Sequence, residues 1–330
     1  MIQGFAESGR MQVFRRLPPL DQRRPCALTI GNFDGVHQGH RALLKTLGAS
    51  ARGLGLPVCV LTFDPHPREF FAARLTGPSA PTRIATLRDK LGTLAAEGVD
   101  RTCVVHFNER FAALSPQDFI DRILVEGLQV RHLLIGDDFR FGARRAGDVA
   151  QLRIAGESAG FTVQQMSTVA LDGERISSSA VRAALAAADF ARVERLLGRP
   201  YVISGHVVHG RKLGRTLGFP TLNLRLPHGR PALGGVFVVE VDGLGPTPRP
   251  GVASLGTRPA VETHGVPLLE THLLDGPADA YGRIIRVRFL RKLRDEAHYD
   301  SLEALTAQIQ RDASDARAHF GAPSFPSAAP

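Results

Sequence analysis

His37 and His40 stand three residues apart in GNFDGVHQGH (31–40), a run with glycines at 31, 35 and 39 that follows an apolar stretch and opens a helical pattern. Helix N-termini expose unpaired N–H groups and a partial positive charge, so they attract phosphate. Two imidazoles on one side of such a terminus can donate hydrogen bonds to the same anion, which suits a nucleotide α-phosphate under attack. Plain turn glycines, capping histidines and a metal pair are competing readings, the last without an evident third ligand nearby. A second cluster, SSSAVR, puts Ser177, Ser178 and Ser179 at the start of a helix with Arg182 one turn inside. One serine serves as a cap; the surplus hydroxyls and the guanidinium suit the outer phosphates of a nucleotide. Polar residues also follow two apolar runs, Asp64 and His66 in TFDPHP and Asp137 and Asp138 in GDDFRFG. That is the edge where open α/β sheets bind ligands, although either segment is equally an ordinary turn.

A different set of groups lies downstream. HGRKLGRTLGFPTLNL (209–224) spaces Gly210, Gly214 and Gly218 for a loop that hugs phosphate, yet it lacks the GxxxxGK[ST] of a P-loop. Thr221 and Asn223 follow at i and i+2 on a strand pattern, so their oxygens share one face and suit a Mg²⁺ that otherwise keeps waters and phosphates. The plainer alternative is a turn and a strand with two outward polar residues. Glu270, in PLLETHLLD, is a carboxylate inside an apolar strand pattern. It is either an exposed face residue or the acceptor for the proton of an attacking alcohol.

The elements that must position these groups fall into two styles. Up to about residue 170, apolar runs (ALTIGNF, PVCVLTF, RTCVVHF, VRHLLIG, FTVQQMSTV) alternate with helix-period segments (HRALLKTLGASA, RIATLRDKLGTLAAEG, SPQDFIDRILVEGL). Strands joined by helices predict a parallel sheet covered on both faces, a Rossmann-like α/β half. After Arg182 an alanine-rich helical stretch leads into six short strand patterns between Gly and Pro, which predict a small antiparallel six-stranded barrel or sandwich. Leu302, Leu305 and Ile309 mark a C-terminal helix starting near Asp300 or Ser301, and GAPSFPSAAP reads as a frayed tail. The expected domains are 1–185 and 186–330.

Composition supports an enzyme-like globular chain and excludes a disordered, collagenous or coiled-coil one, with 43% hydrophobic and 22% charged residues in 330. The net charge of +9 comes from arginine, since only Lys45, Lys90, Lys212 and Lys292 are lysine. It is divided evenly, +5 over residues 1–185 and +4 over the rest, with no stripe of the kind nucleic acid requires. Cys26, Cys59 and Cys103 are odd in number and outside any CxxC pair, so they read as structural thiols of a reducing cytoplasm. The start MIQGFAESGR has no signal-peptide core, and no apolar run reaches the ~18 residues of a membrane span.

Taken in order, GNFDGVHQGH, TFDPHPREFF, IGDDFRFGARRAGD and ISSSAVR resemble the adenylyltransferase half of the bacterial bifunctional riboflavin kinase/FAD synthetase family. GRxLGFPTxN, GVASLGTRP, LETHLLD and RVRFLRKLRDE resemble its riboflavin kinase half, so the resemblance covers nearly the whole chain. It implies a nucleotidyltransferase fold that joins FMN to the AMP part of ATP. ATP contacts would fall at Gly31, Asn32, His37, His40, Ser177, Ser178, Ser179 and Arg182, Thr often standing in the family where this chain has Ser179. It also implies Mg²⁺ and a second ATP at Gly210, Gly214, Gly218, Thr221 and Asn223, with Glu270 as base for the 5′-hydroxyl of riboflavin. Ser254 stands where the family often has Asn. The flavin of the adenylylation step is expected at Asp64, His66 and Asp138 by position alone. Riboflavin, FMN and ATP are the expected partners, with no nucleic acid, no membrane and no oligomeric state specified. Two rivals stay open at this point: a riboflavin kinase whose nucleotidyltransferase half uses another acceptor, and a non-catalytic flavin- or nucleic-acid-binding protein. The second predicts salt-sensitive RNA or DNA binding without ATP consumption, against which the intact His37, His40, Thr221, Asn223 and Glu270 argue.

Overall fold

In the computed structural model, which describes residues 11–74, 80–171, 173–210, 213–226, 230–256 and 266–321, the apolar runs of the first half form one parallel sheet. Its strands are β1 (Gln12–Phe14), β2 (Cys26–Ile30), β3 (Val58–Phe63), β4 (Arg101–Val105), β5 (Val130–Gly136) and β6 (Thr162–Met166), in the order β1-β4-β3-β2-β5-β6. Sequence reading omits β1, a three-residue edge strand paired to β4. The helices α1 (Gln38–Leu54), α2 (Pro67–Ala72), α3 (Leu87–Ala96) and α4 (Val149–Ala159) lie in the β2–β3, β3–β4 and β5–β6 connections, and the β4–β5 connection carries the helical segments Glu109–Ala112, Pro116–Asp118 and Phe119–Val125. Alternate residues of the strands feed two separate cores, Leu28, Leu61 and Leu133 in one and Ala27, Val60 and Leu134 in the other. Burial on both faces is why these strands read as unbroken apolar runs. Cys26, Cys59 and Cys103 are buried free thiols among them, as expected. Burial pushes Cys103 up to about 12, and a hydrogen bond with Cys26 followed by burial raises Cys59 well above the usual thiol range. A hairpin of β7 (Ala170–Leu171) and β8 (Glu174–Arg175) follows.

The six strand patterns of the second half close into an antiparallel barrel. They are β9 (Val202–Val208), β10 (Thr221–Arg225), β11 (Gly235–Asp242), β12 (Arg249–Leu255), β13 (Leu268–Leu273) and β14 (Ile284–Arg294), joined in the order β10-β13-β12-β11-β14-β9. Side chains alternate across the wall. On β13, Leu269, Thr271 and Leu273 are buried while Glu270 is exposed. The alanine-rich stretch is not one helix but two, α5 (Ser178–Ala186) and α6 (Phe190–Leu197). Ala188 takes a left-handed φ of 53°, and Asp189 caps the second helix by accepting from Arg192 N at 2.9 Å. The C-terminal helix α7 (Leu302–His319) is capped by Ser301, as its sequence predicts, and tied to β14 by the Arg294–Asp312 ion pair at 2.7 Å. Residues 322–330 of the predicted tail lie outside the described residues.

By its contacts the chain forms two units, one of residues up to Pro81 with Lys90–Ser177, the other of Thr82–Asp89 with the chain from Ser178 onward. A helix was expected over 83–98, but α3 begins only at Leu87, where the Thr86 hydroxyl accepts from Asp89 N. Residues 82–86 have other hydrogen-bond partners. Arg83 N donates to Arg230 O (2.7 Å), Ala232 N donates to Arg83 O (2.9 Å), and Tyr201 Oη donates to Ile84 O (2.9 Å). The Asp89 carboxylate accepts from both the main-chain N–H and the hydroxyl of Ser204 on β9. β9 needs that acceptor, because only Val207 and Val208 pair with β10 at the seam of the barrel.

Candidate active site

In the first unit the sheet order changes direction between β2 and β5, since the chain runs outward from β2 through β3 to β4 and then returns to β5. Ligands of open α/β sheets bind outside the carboxyl ends of strands at such a switch. GNFDGVHQGH leaves β2 at that end and enters α1. The turn is tight: Gly35 has φ 82°, and Phe33 (φ 48°) and Val36 (φ 40°) are also left-handed, a costly state for an aromatic and a β-branched residue. Both side chains are fully buried, so core packing holds the strained backbone in place.

His37 is the N-cap of α1, its Nδ1 accepting from His40 N at 3.4 Å. The capping alternative and the ligand-binding one are therefore compatible, because the cap uses one ring nitrogen only. The two imidazoles stack at 3.7 Å with 21° between planes, and the Phe33 ring lies 4.8 Å from His40. A Cβ at Gly39 would come within 3.2 Å of the His37 ring, which is why glycine stands there. Asn32 Oδ1 and His40 Nδ1 are shut off from solvent and have no hydrogen-bond partner among the described residues, the condition of groups that await a ligand. Burial, then the charges of His37 and Lys90, holds His40 well below the usual imidazole range, so it acts as a neutral hydrogen-bonding group.

Ser177 ends the first unit, while Ser178, Ser179 and Arg182 belong to α5 of the second, where Arg182 Nε donates to Thr82 O at 2.6 Å. The flavin candidates have structural partners. His66 caps α2, accepting from Arg68 N at 3.0 Å while its own N–H donates to Glu69. Asp138 pairs with Arg175 of the hairpin at 2.8 Å, and His106 Nδ1 lies 3.2 Å from the carbonyl of Asp64. What joins their two segments is absent from the sequence reading. A chain of ring contacts runs from Phe63 through Phe111 and Phe119 to Phe141 and Phe139, at 5.7, 6.2, 5.3 and 5.9 Å. The phenylalanine-rich composition was its only signal.

In the second unit the register of the barrel assembles the other set. Glu270 on β13 lies opposite Asn223 on β10 and opposite Ser254 on β12, and Thr221 lies opposite His272. Directly opposed residues share a face, so Thr221, Asn223, Glu270 and Ser254 line one outer wall across three strands. Asn223 is 5% exposed; its Nδ2 donates to Thr221 O, and its Oδ1 is buried without a partner. An orphaned amide oxygen beside the glycine loop fits a hard divalent cation. No group of three or more His, Cys, Asp or Glu suited to a metal occurs among the described residues, so such an ion would rely on few protein oxygens. Two of the three predicted loop glycines are required by close approach: a Cβ at Gly210 would lie 2.6 Å from Asn223 Nδ2, and one at Gly214 would strike the Phe219 carbonyl. Gly218 is left-handed, φ 86°. A cleft of about 430 Å³ opens beside Thr221, lined also by Arg215, Leu222, Asp279 and Tyr281. Tyr281 stacks on His209 at 3.9 Å and carried no sequence signal.

Comparison with known proteins gives a consistent picture. The chain matches the FAD synthetase family over residues 20–180 and the riboflavin kinase family over 197–320. It is 51% identical to the bifunctional riboflavin kinase/FMN adenylyltransferase of Pseudomonas fluorescens, covering 95% of this chain and 99% of that one. The protein of the same name from Escherichia coli K12 is 50% identical over 94% of this chain and 98% of its own. Among solved structures, one called a macrolide-efflux protein from Streptococcus pneumoniae shares 27% identity with a TM-score of 0.71, covering 93% of this chain and 98% of its own. No helix among the described residues is long and apolar enough to cross a membrane.

Proposed function

We infer the division of labour within the molecule from one premise: the chain belongs to the bifunctional riboflavin kinase/FMN adenylyltransferase family. It is a transferase that uses ATP to phosphorylate riboflavin to FMN and a second ATP to convert FMN to FAD. Adenylylation belongs to residues 1–185 and phosphorylation to residues 186–330, a division supported by the extents of the two family matches.

In the kinase half the 5′-hydroxyl of riboflavin attacks the γ-phosphorus of ATP and ADP leaves. The hydroxyl proton needs an acceptor, and Glu270 takes it. Asn223 and Thr221 would hold Mg²⁺, with the glycine loop around the phosphates, and the bound ion would neutralise charge on the transferring group. In the other half a phosphate oxygen of FMN attacks the α-phosphorus of ATP and pyrophosphate leaves. That nucleophile is already anionic, so no base is needed, and His37 and the neutral His40 with Asn32 supply hydrogen bonds to the developing charge. Gly31 and Ser177 add nucleotide contacts in this unit, and Ser178, Ser179 and Arg182 are assigned to phosphate by the resemblance of their motif. The flavin lies against the phenylalanine chain between the Asp64–His66 and Asp138 segments. The reduced, buried thiols suit the cytoplasm as the place of work, and the even spread of charge suits small anionic substrates better than nucleic acid.

The observation that carries this reading is the register that sets Glu270 opposite Asn223 on one wall. Its test is to supply riboflavin, ATP and Mg²⁺ and to separate the flavins over time. Glu270→Ala should form no FMN yet still convert supplied FMN to FAD, and His37→Ala should do the reverse. Loss of both activities in folded single variants would refute the two-site assignment.

A further inference from the structure

We propose that Lys90 is a positioning residue for adenylyl transfer, fixing through Thr62 the turn that carries Asn32, His37 and His40. The proposal rests on reading that turn as the adenylylation centre. Lys90 lies in the first turn of α3 and is only 4% exposed. An ammonium is buried only where the protein supplies polar partners, and one of those partners here is Thr62.

Lys90 Nζ donates to Thr62 Oγ1 at 3.4 Å. An ammonium offers donors and no acceptor, so the threonine must turn a lone pair toward it and its single proton elsewhere. That proton goes to the main-chain carbonyl of Asn32, 3.1 Å away. The lysine thus sets the direction of a two-bond relay that ends on the residue whose side-chain oxygen is buried without a partner. Thr62 is fully buried on β3, which gives the relay a rigid base. The charges that act on His40 include His37 from its own turn and Lys90 from α3, and the uncharged Phe33 ring lies beside it. After burial and His37, the Lys90 charge is the third cause that keeps His40 neutral. A relay of fixed hydrogen bonds behind Asn32 is preorganised and needs no proton movement during the reaction.

The test uses the full chain with Lys90→Met, Lys90→Arg and Thr62→Val, measuring FAD formation from FMN and FMN formation from riboflavin on the same preparations. Lys90→Met should lower kcat for FAD formation roughly 30-fold while changing the KM for FMN by less than about threefold. It should also move the acid limb of the FAD pH–rate profile to higher pH, because His40 loses a like charge. FMN formation should stay at the parental rate, and Lys90→Arg should recover much of the lost FAD rate. FAD formation by Lys90→Met within about threefold of the parent overturns the proposal. If Lys90→Met loses both activities, Thr62→Val decides, since it removes the relay at nearly constant volume; selective loss of FAD formation supports the relay and a parental rate refutes it. His37→Ala separates the two levels. Should it retain FAD formation, the reading of the turn has failed; should it lose FAD formation while Lys90→Met is silent, only the role of Lys90 has.

Discussion

At the end of β2 the reactive groups come from ten consecutive residues and are held by a strained, core-anchored turn, with the His37 and His40 rings stacked on each other. On the barrel wall they come from three strands far apart in sequence, and Glu270 is exposed. The contrast follows from the chemistry. Stabilising charge on an attacked phosphate rewards rigid, desolvated donors. Accepting a proton from an alcohol rewards a carboxylate that remains ionised, which favours exposure to water.

Exchanging the demands of the two centres is the most direct way to break this contrast. Glu270→Ala should cost about 10³-fold in FMN formation, and His37→Ala roughly 10²-fold in FAD formation, each leaving the other reaction within about twofold. Flavin chromatography reads both. The next effect sharpens the barrel side alone: Asn223→Ala should raise the Mg²⁺ needed for half-maximal FMN formation about tenfold. Gly210→Ala should act in the same direction, because its methyl would occupy the space of the Asn223 amide. A Mg²⁺ titration of FMN formation would show this, and FAD formation should not follow it.

A smaller effect concerns stability. Asp89→Ala removes the acceptor for Ser204 N and should destabilise the second unit by about 2 kcal/mol in denaturant unfolding. The smallest is the pH response of the buried turn. The folded-state value of His40 lies below its unfolded 6.5, so the unfolded chain takes up the proton first. Stability from this group is therefore complete above pH 6.5 and declines as pH falls toward the folded value. His132, also lowered by burial, adds to the same slope. Thermal melts between about pH 5.5 and 7.5 should show the first unit softening on the acid side, less steeply in His40→Gln.

Much of this was legible in the sequence because it is local. The strand-turn-helix around GNFDGVHQGH, the five longer parallel strands and the six barrel strands follow from apolar period and turn residues. Ser301 announced a helix start and does cap it. What escaped is non-local. No spacing rule sets Glu270 against Asn223, since register is decided by the closure of the whole barrel. Leu87, Leu91 and Leu94 carry a helical stripe, and it was extended too far forward because residues 82–86 meet their partners at 201 and 230–232. Nothing in the helix pattern singles out Lys90, and only the fold buries it. The alanine-rich stretch hid its break because alanine favours helix on both sides of Ala188.

The strip of residues 82–89 bears on how the molecule is made. A ribosome emits it well before Tyr201, Ser204 and Arg230, its partners, have been synthesised. The second unit therefore cannot be finished from its own half of the message: its last pieces close on a segment already waiting in the nascent chain. A gene cut between the two catalytic halves would leave the barrel without Asp89 on β9, so the fusion of the two enzymes is written into the wall of one of them.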